Sequence, residues 1–145
     1  MIEALDTGND LPDCSPHSVA EVLLEFIAAL PHPLLPPSCY PYNEIEQQQL
    51  RPFCRKIMDD LPPLNYNLFV YLISFFREIL VCEAHNKTTP PLLAELLVNA
   101  MMYETDETEL LKRSSSISKE DIEKRVAKKQ YLVSVIVFLL ITNTL

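Results

Sequence analysis

Few side chains in this sequence have types and spacing that could perform chemistry. Cys14 and His17 are close enough along the chain to form a thiol–imidazole pair, and His32 supplies another nitrogen donor nearby. A nucleophilic pair needs a third group that orients the imidazole, and a metal site needs a third or fourth ligand. The sequence offers neither at a suitable spacing, so we expect no metal site and no catalytic residue here.

Two carboxylates, Glu21 and Glu25, are four residues apart and would share one face of a helix. Such a pair can act as general acid and base only where the environment shifts one pKa away from the other. An exposed polar stripe on an apolar helix provides no such environment. We therefore interpret the two residues as a solvated face.

Gly8 is the one glycine in 145 residues, against twelve prolines. Loops that cradle phosphates need several residues without a Cβ where the backbone meets the ligand. This composition excludes such loops, so no nucleotide cofactor is expected. We predict no cofactor of any other kind.

The cysteines are separated by 25, 15 and 28 residues and form no C-x-x-C motif: Cys14, Cys39, Cys54 and Cys82. With no signal peptide at the N-terminus, they indicate reduced thiols in a cytoplasmic protein, and disulfides remain the alternative. Cys54 and Cys82 lie among apolar residues and are expected to be small core side chains.

The formal net charge of −8 is unevenly divided. Residues 1–111 contain 17 acids and 5 bases, whereas residues 112–145 contain 7 bases and 3 acids. The basic stretch has no interleaved aromatic residues and follows an acidic body, which argues against nucleic-acid binding. Contact of residues 119–129 with anionic lipid is the alternative to a solvated helix surface.

A chain of this length with 48% apolar residues can bury a core as one unit. Ser18 and Glu21 form an S-x-x-E capping box and predict a helix over 18–30, apolar on most sides and therefore central in the core. Five prolines between 31 and 41 predict a polyproline-like connector.

Further helices are predicted over 45–61, 64–81 and 89–103, with Pro52 as a break or late start in the first. In the second, Arg77 and Glu78 lie off an apolar seam that predicts a core helix: Leu64, Leu68, Tyr71, Leu72, Phe75, Phe76 and Ile79. The part of this seam formed by Tyr71, Phe75, Phe76 and Ile79 is expected to be mostly core, and a groove for an apolar peptide anchor is the alternative. The absence of any strand pattern predicts an all-α fold.

Residues 103–118 are charged and serine-rich, and we predict a flexible loop there. A terminal helix is predicted over 119–142. The longest apolar run, 131–141, is shorter than the roughly 20 residues that span a bilayer, so no transmembrane segment is expected.

Three strings occur in an order that resembles Rho GTPase-activating (RhoGAP) domains: HSVAEVLLEFIAALPHP (17–33), LPPLNYNLFVYLISFFREIL (61–80) and NKTTPPLLAELLVNAMM (86–102). The first is similar to the signature helix with its L-P-x-P exit, and the second to the L-P-x-x-N-x-x-x-L-x-x-L helix. Within that family, LDTG, HSVAE and REIL resemble the inositol polyphosphate 5-phosphatases of the Lowe syndrome (OCRL) type. The resemblance implies that 1–145 is a single, partial RhoGAP-like helical bundle lacking the N-terminal helices.

The same resemblance implies that the catalytic machinery is degraded. The arginine-finger loop of the family precedes the part that Met1 onward resembles. Leu24 stands where catalytic members carry a lysine, and Ala28 where they carry an arginine. The family's G-P-N aligns with Val98, Asn99 and Ala100, and Asn99 could serve as that asparagine only after a one-residue slip, about 100° around the helix.

Leu24, Ala28, Asn99 and Ala100 are thus the GTPase-facing positions by resemblance. The resemblance implies an inactive interaction domain that binds Rho/Rac-family GTPases and endocytic adaptor proteins with Phe/His motifs. We expect it in the cytoplasm, peripherally associated with endosomal or Golgi membranes through its parent protein. The alternatives are an active domain whose arginine comes from outside this chain, and a degenerate fragment.

Overall fold

The computed structural model describes residues 15–102 and 119–142. Within these ranges the chain forms helices and no strand, which confirms the all-α prediction. The α-helices are α1 (Pro16–Ala28), α2 (Gln47–Asp60), α3 (Pro63–Val81), α4 (Glu83–Asn86), α5 (Pro90–Met101) and α6 (Lys119–Ile141). The predicted loop 103–118 and Cys14 lie outside the described residues.

Helix α1 begins earlier than the capping box predicted. The Ser15 side chain caps the helix by accepting a 3.2 Å hydrogen bond from the Ser18 N–H. Pro16 occupies the first turn, where its missing N–H has no cost. Ser18 is therefore inside the helix, and its prediction as the cap was wrong because Ser15 and Pro16 provide an earlier start.

The prediction that α1 is central in the core was also wrong. Ile27 is its one buried residue among those whose side chains are described, and Phe26 is 59% exposed. The helix packs along one side, against α5. Its apolar composition therefore leaves apolar surface on the outside.

The connector after α1 packs into the core, with a 3₁₀ turn at Pro37–Cys39. Leu34, Leu35, Cys39 and Tyr40 are buried. Helix α2 then runs without interruption through Pro52, which is exposed, so the predicted break is wrong.

Helix α3 is rotated relative to the predicted seam. Its buried residues are Phe69, Leu72, Ile73 and Phe76. Tyr71 is 68% exposed, and Phe75 is exposed as well.

By length and composition α3 could cross a membrane, a test that the core helix of a soluble protein passes as well. The sequence prediction of no transmembrane segment considered only residues 131–141 and did not consider the length of the helix predicted over 64–81.

The core is built around α5 and α6. Helix α6 packs against α5, α3 and α2. It contributes Leu132, Val135, Ile136, Leu139 and Leu140, and α5 contributes Leu93, Ala94, Leu97, Val98, Ala100 and Met101. The order of packing is thus α1 on α5, α5 on α6, and α6 on both α2 and α3.

The short helix α4 was not predicted. It ends at Lys87, which adopts a left-handed conformation with φ of 56°. The Asn86 side chain stabilises this turn by donating to the Ile79 carbonyl and accepting from the Thr88 N–H, both at 2.8 Å. This turn directs the chain from α3 into α5.

Candidate functional site

The four positions predicted to face a GTPase lie on α1 and α5, two helices that pack against each other. On α1, Leu24 and Ala28 are one turn apart and share a side of the helix. Leu24 is half-buried beside the core, whereas Ala28 is exposed. Of the two, Ala28 is the more accessible to a partner.

On α5, Asn99 and Ala100 have opposite environments. Asn99 is exposed, and its amide makes no hydrogen bond within the described residues. Ala100 is only 8% exposed and belongs to the core. Because adjacent residues are about 100° apart around a helix, the Asn99 amide faces solvent whereas the Ala100 methyl group faces the core.

The exposed surfaces of α1 and α5 lack positive charge. Neither helix contains a lysine or an arginine. Their exposed ionisable residues include Glu21 and Glu25 on α1 and Glu95 on α5. Glu21 and Glu25 are both exposed to solvent, as predicted, and the acidic residues of these two helices have no lysine or arginine beside them on the same helix.

Apolar side chains accompany Asn99 on the outer side of α5. Leu92 and Leu96 are both exposed and precede Asn99 by seven and three residues. Residues at these spacings share one side of a helix. The outer side of α5 therefore combines an amide with two leucines, and we call Leu92, Leu96 and Asn99 the α5 outer face.

Asn65 fixes the connector that leaves α1. Its side-chain amide donates to the Pro33 and Leu34 carbonyls, at 3.3 and 2.9 Å. Asn65 is the asparagine of the L-P-x-x-N string, and Pro33 is the last residue of the L-P-x-P exit. Two strings that the sequence analysis noted separately are thus joined by hydrogen bonds.

Arg77 has a role that the sequence analysis missed. Its Nε donates a 3.1 Å hydrogen bond to the Leu139 carbonyl, and its Nη2 donates to the Leu139 and Thr142 carbonyls. These carbonyls lie at the C-terminal end of α6, where helical partners run out. Burial of the guanidinium lowers the pKa of Arg77. Its position beside Glu78 gave no signal of this distant contact.

The three described thiols form no disulfide and differ in burial. Cys39, Cys54 and Cys82 are free, and the first two are buried. Burial raises the pKa of Cys54 to about 11 and also raises the pKa of Cys39. Cys82 is exposed, so its prediction as a core residue was wrong. Among the described residues, no three His, Cys, Asp or Glu side chains converge in a way that could hold a metal ion.

Comparison with known proteins agrees with this architecture. Residues 1–106 match the family model described as RhoGAP domain. The chain is 33% identical over 101 residues to mouse type II inositol 1,4,5-trisphosphate 5-phosphatase, covering 69% of this chain and 10% of that protein. It is 29% identical over 118 residues to Drosophila melanogaster Rho GTPase-activating protein 68F, covering 78% of this chain and 23% of that protein.

The chain thus spans a small part of these two relatives' length. The matched segment contains helices α1 to α5, with the candidate positions Leu24, Ala28, Asn99 and Ala100. The predicted resemblance is confirmed, and this chain belongs to the RhoGAP domain family.

Proposed function

We propose that this domain binds a Rho-family GTPase through α1 and the α5 outer face without accelerating GTP hydrolysis. The observation that carries the proposal is the absence of any lysine or arginine on α1 and α5. Recruitment of a partner, rather than chemistry, would then be its contribution to signalling.

The reason lies in the charge of the reaction. Negative charge shifts among the phosphoryl oxygens during GTP hydrolysis. An arginine that stabilises this charge in the transition state accelerates hydrolysis by a factor of roughly 10³ to 10⁵. Leu24 and Ala28 offer only apolar atoms where a cation is needed. Glu21 and Glu25 on the same helix would raise the energy of added negative charge.

The same surface retains features suited to binding. The Asn99 amide can donate and accept hydrogen bonds. Leu92 and Leu96 supply exposed apolar area beside it. Protein interfaces combine such apolar contacts with a few directed hydrogen bonds.

The test measures binding and hydrolysis in the same samples. The full chain is titrated against Rho-family GTPases loaded with GTP, and single-turnover phosphate release is recorded, with an active RhoGAP domain as the positive control. We expect saturable binding with the intrinsic hydrolysis rate unchanged. Acceleration would favour the alternative of an active domain that draws a cation from elsewhere, and no binding to any Rho-family member would reject the proposal.

A second candidate function is capture of endocytic adaptor peptides that contain Phe and His, at the periphery of endosomal or Golgi membranes. The exposed apolar stripe of α3, formed by Leu64, Tyr71 and Phe75, favours it because an aromatic anchor needs apolar contacts. Titration of such peptides should show binding that Tyr71→Ser weakens and Tyr66→Ser does not. Equal affinities of both variants would reject this assignment.

A further inference from the structure

A depression on the outer side of α2 brings together basic side chains, which are rare elsewhere in residues 15–102. It is lined by Arg51, Pro52, Arg55, Lys56, Asp59 and Asp60, all of them exposed. Only five basic residues occur in the described range 15–102, and three of them meet here. The other two are Arg77, which binds the end of α6, and Lys87, in the turn after α4.

Two features of the charges in this depression disfavour the helix that carries them. Arg51 and Arg55 are four residues apart, a spacing at which like charges repel on a helix. Asp59 and Asp60 stand in the last turn of α2, where the helix dipole disfavours negative charge. Arg55 and Asp59, and likewise Lys56 and Asp60, are opposite charges four residues apart, a spacing that favours an exposed helix only weakly.

These cations form no ion pair within the described part of the chain. Its one ion pair joins Lys124 to Glu120 at 2.7 Å, on α6. Arg55 and Lys56 form no ion pair with Asp59 or Asp60, although each has a carboxylate four residues away. The guanidinium groups of Arg51 and Arg55 therefore remain available to an external anion.

We propose that the α2 depression docks an acidic peptide segment of a partner protein. Guanidinium groups bind carboxylates through paired hydrogen bonds, and Arg51 and Arg55 are about 6 Å apart along the helix axis. Alternate residues of an extended peptide are about 6.6 Å apart, so two acidic side chains of a Glu-x-Glu segment can reach both arginines.

A peptide fits this surface better than an anionic membrane does. Asp59 and Asp60 share the depression, and Glu44 and Glu46 are exposed just before α2. A planar sheet of negative charge would approach all of these carboxylates together and be repelled. A narrow peptide can follow the arginines and avoid them.

The depression is separate from the surface proposed for the GTPase. Helix α2 packs against α6, whereas α1 packs against α5. Both partners could therefore bind the same domain, and the acidic-peptide proposal does not depend on GTPase binding.

The test uses a fluorescent octapeptide of alternating Ser and Glu and, as a neutral control, the same peptide with Gln in place of Glu. Anisotropy titrations with the full chain at low salt should show binding of the acidic peptide alone, weakened by added salt. We expect Arg55→Glu to reduce the affinity about tenfold or more, since it replaces attraction with repulsion. Lys119→Glu, a charge reversal of an exposed residue on α6, should leave it unchanged.

Circular dichroism verifies that each variant is folded, and Arg55→Gln serves as a milder variant if Arg55→Glu is not. Equal affinities for the acidic and the neutral peptide would overturn the proposal. Equal losses of affinity for the acidic peptide in Arg55→Glu and Lys119→Glu would overturn it as well. Vesicles with and without phosphatidylserine form the last arm. Vesicle binding that depends on Arg55, without binding of the acidic peptide, would assign the surface to membranes instead.

Discussion

The side-chain amide of Asn65 donates a 2.9 Å hydrogen bond to the backbone carbonyl of Leu34, 31 residues earlier in the chain. Leu34 is 1% exposed, so its carbonyl has little access to water as an alternative partner. The contact joins the first turn of α3 to the connector that leaves α1. It therefore holds the connector against α3, and both α1 and α3 lie in strings that carry the family resemblance.

Replacing Asn65 should destabilise the domain. Asn65→Ala leaves the Pro33 and Leu34 carbonyls without this donor, and we expect the free energy of unfolding to fall by about 1–3 kcal/mol. Urea denaturation followed by circular dichroism measures the change. Asn67→Ala, an exposed position two residues later, is the matched control. Equal stabilities of the two variants would show that the contact contributes nothing.

Replacing Arg77 should loosen the end of α6. Arg77→Met keeps the apolar stem but removes the donors to the Leu139 and Thr142 carbonyls, so we expect a loss of about 1–3 kcal/mol. Hydrogen exchange should accelerate first in the last turn of α6. Glu78→Ala, at the exposed neighbouring position, should leave the free energy of unfolding and the exchange rate of the last turn unchanged. In Arg77→Met, faster exchange spread evenly over all helices would contradict the capping role.

The three described thiols should differ in reactivity. Cys82 is exposed, whereas burial of Cys39 and Cys54 disfavours their thiolate forms. At mildly alkaline pH, iodoacetamide should therefore modify Cys82 before Cys39 and Cys54, with mass spectrometry reporting the order. Rapid modification of Cys54 in the folded chain would contradict its burial.

The thiol of Cys54 should also make stability depend on alkaline pH. Its pKa in the folded state is about 11, above the usual value of 9.0, so the unfolded chain releases this proton first. The contribution of the Cys54 thiol to the free energy of unfolding is complete below about pH 9 and is lost as the pH rises through about 11. Unfolding free energies measured across this range should fall less steeply in Cys54→Ala than in Cys82→Ala. Parallel curves would refute the assignment.

Asn99 should contribute to GTPase binding without affecting stability. Asn99→Ala removes an exposed amide, and we expect affinity to fall by about 1 kcal/mol or more, or roughly fivefold, with the unfolding midpoint unchanged. Asn67→Ala, on α3, provides the same chemical change away from this surface. Binding by titration calorimetry compares the two, and an unchanged affinity for Asn99→Ala would exclude Asn99 from the interface.

Local signals predicted the helices well and their faces less well. Helical spacing placed α3 close to its observed bounds, because Leu, Phe and Ile recur at the expected intervals. The same spacing put Tyr71 on the inside, since α3 is apolar on more than one side and periodicity alone cannot choose between them. The choice is made by α6, which packs against α3 from far along the chain.

Long-range hydrogen bonds were beyond sequence reasoning for a similar reason. The partners of Arg77 are 62 and 65 residues away, and both are backbone carbonyls, which any residue provides. The Asn65 motif was visible as a string, but its acceptors became apparent only in the folded chain. At the candidate site, the alignment identified Asn99 and Ala100 together, and burial then separated the exposed amide from the core alanine.

Helix α6 follows the segment that matches the family, which ends at residue 106. Yet α6 covers the apolar side of α5 and contributes five buried residues. During synthesis, the segment through Met102 would therefore leave the ribosome with the buried side of α5 still exposed, and closure would wait for residues 132–140. Nascent chains of this domain should need protection by chaperones during that interval, because exposed apolar surface promotes aggregation.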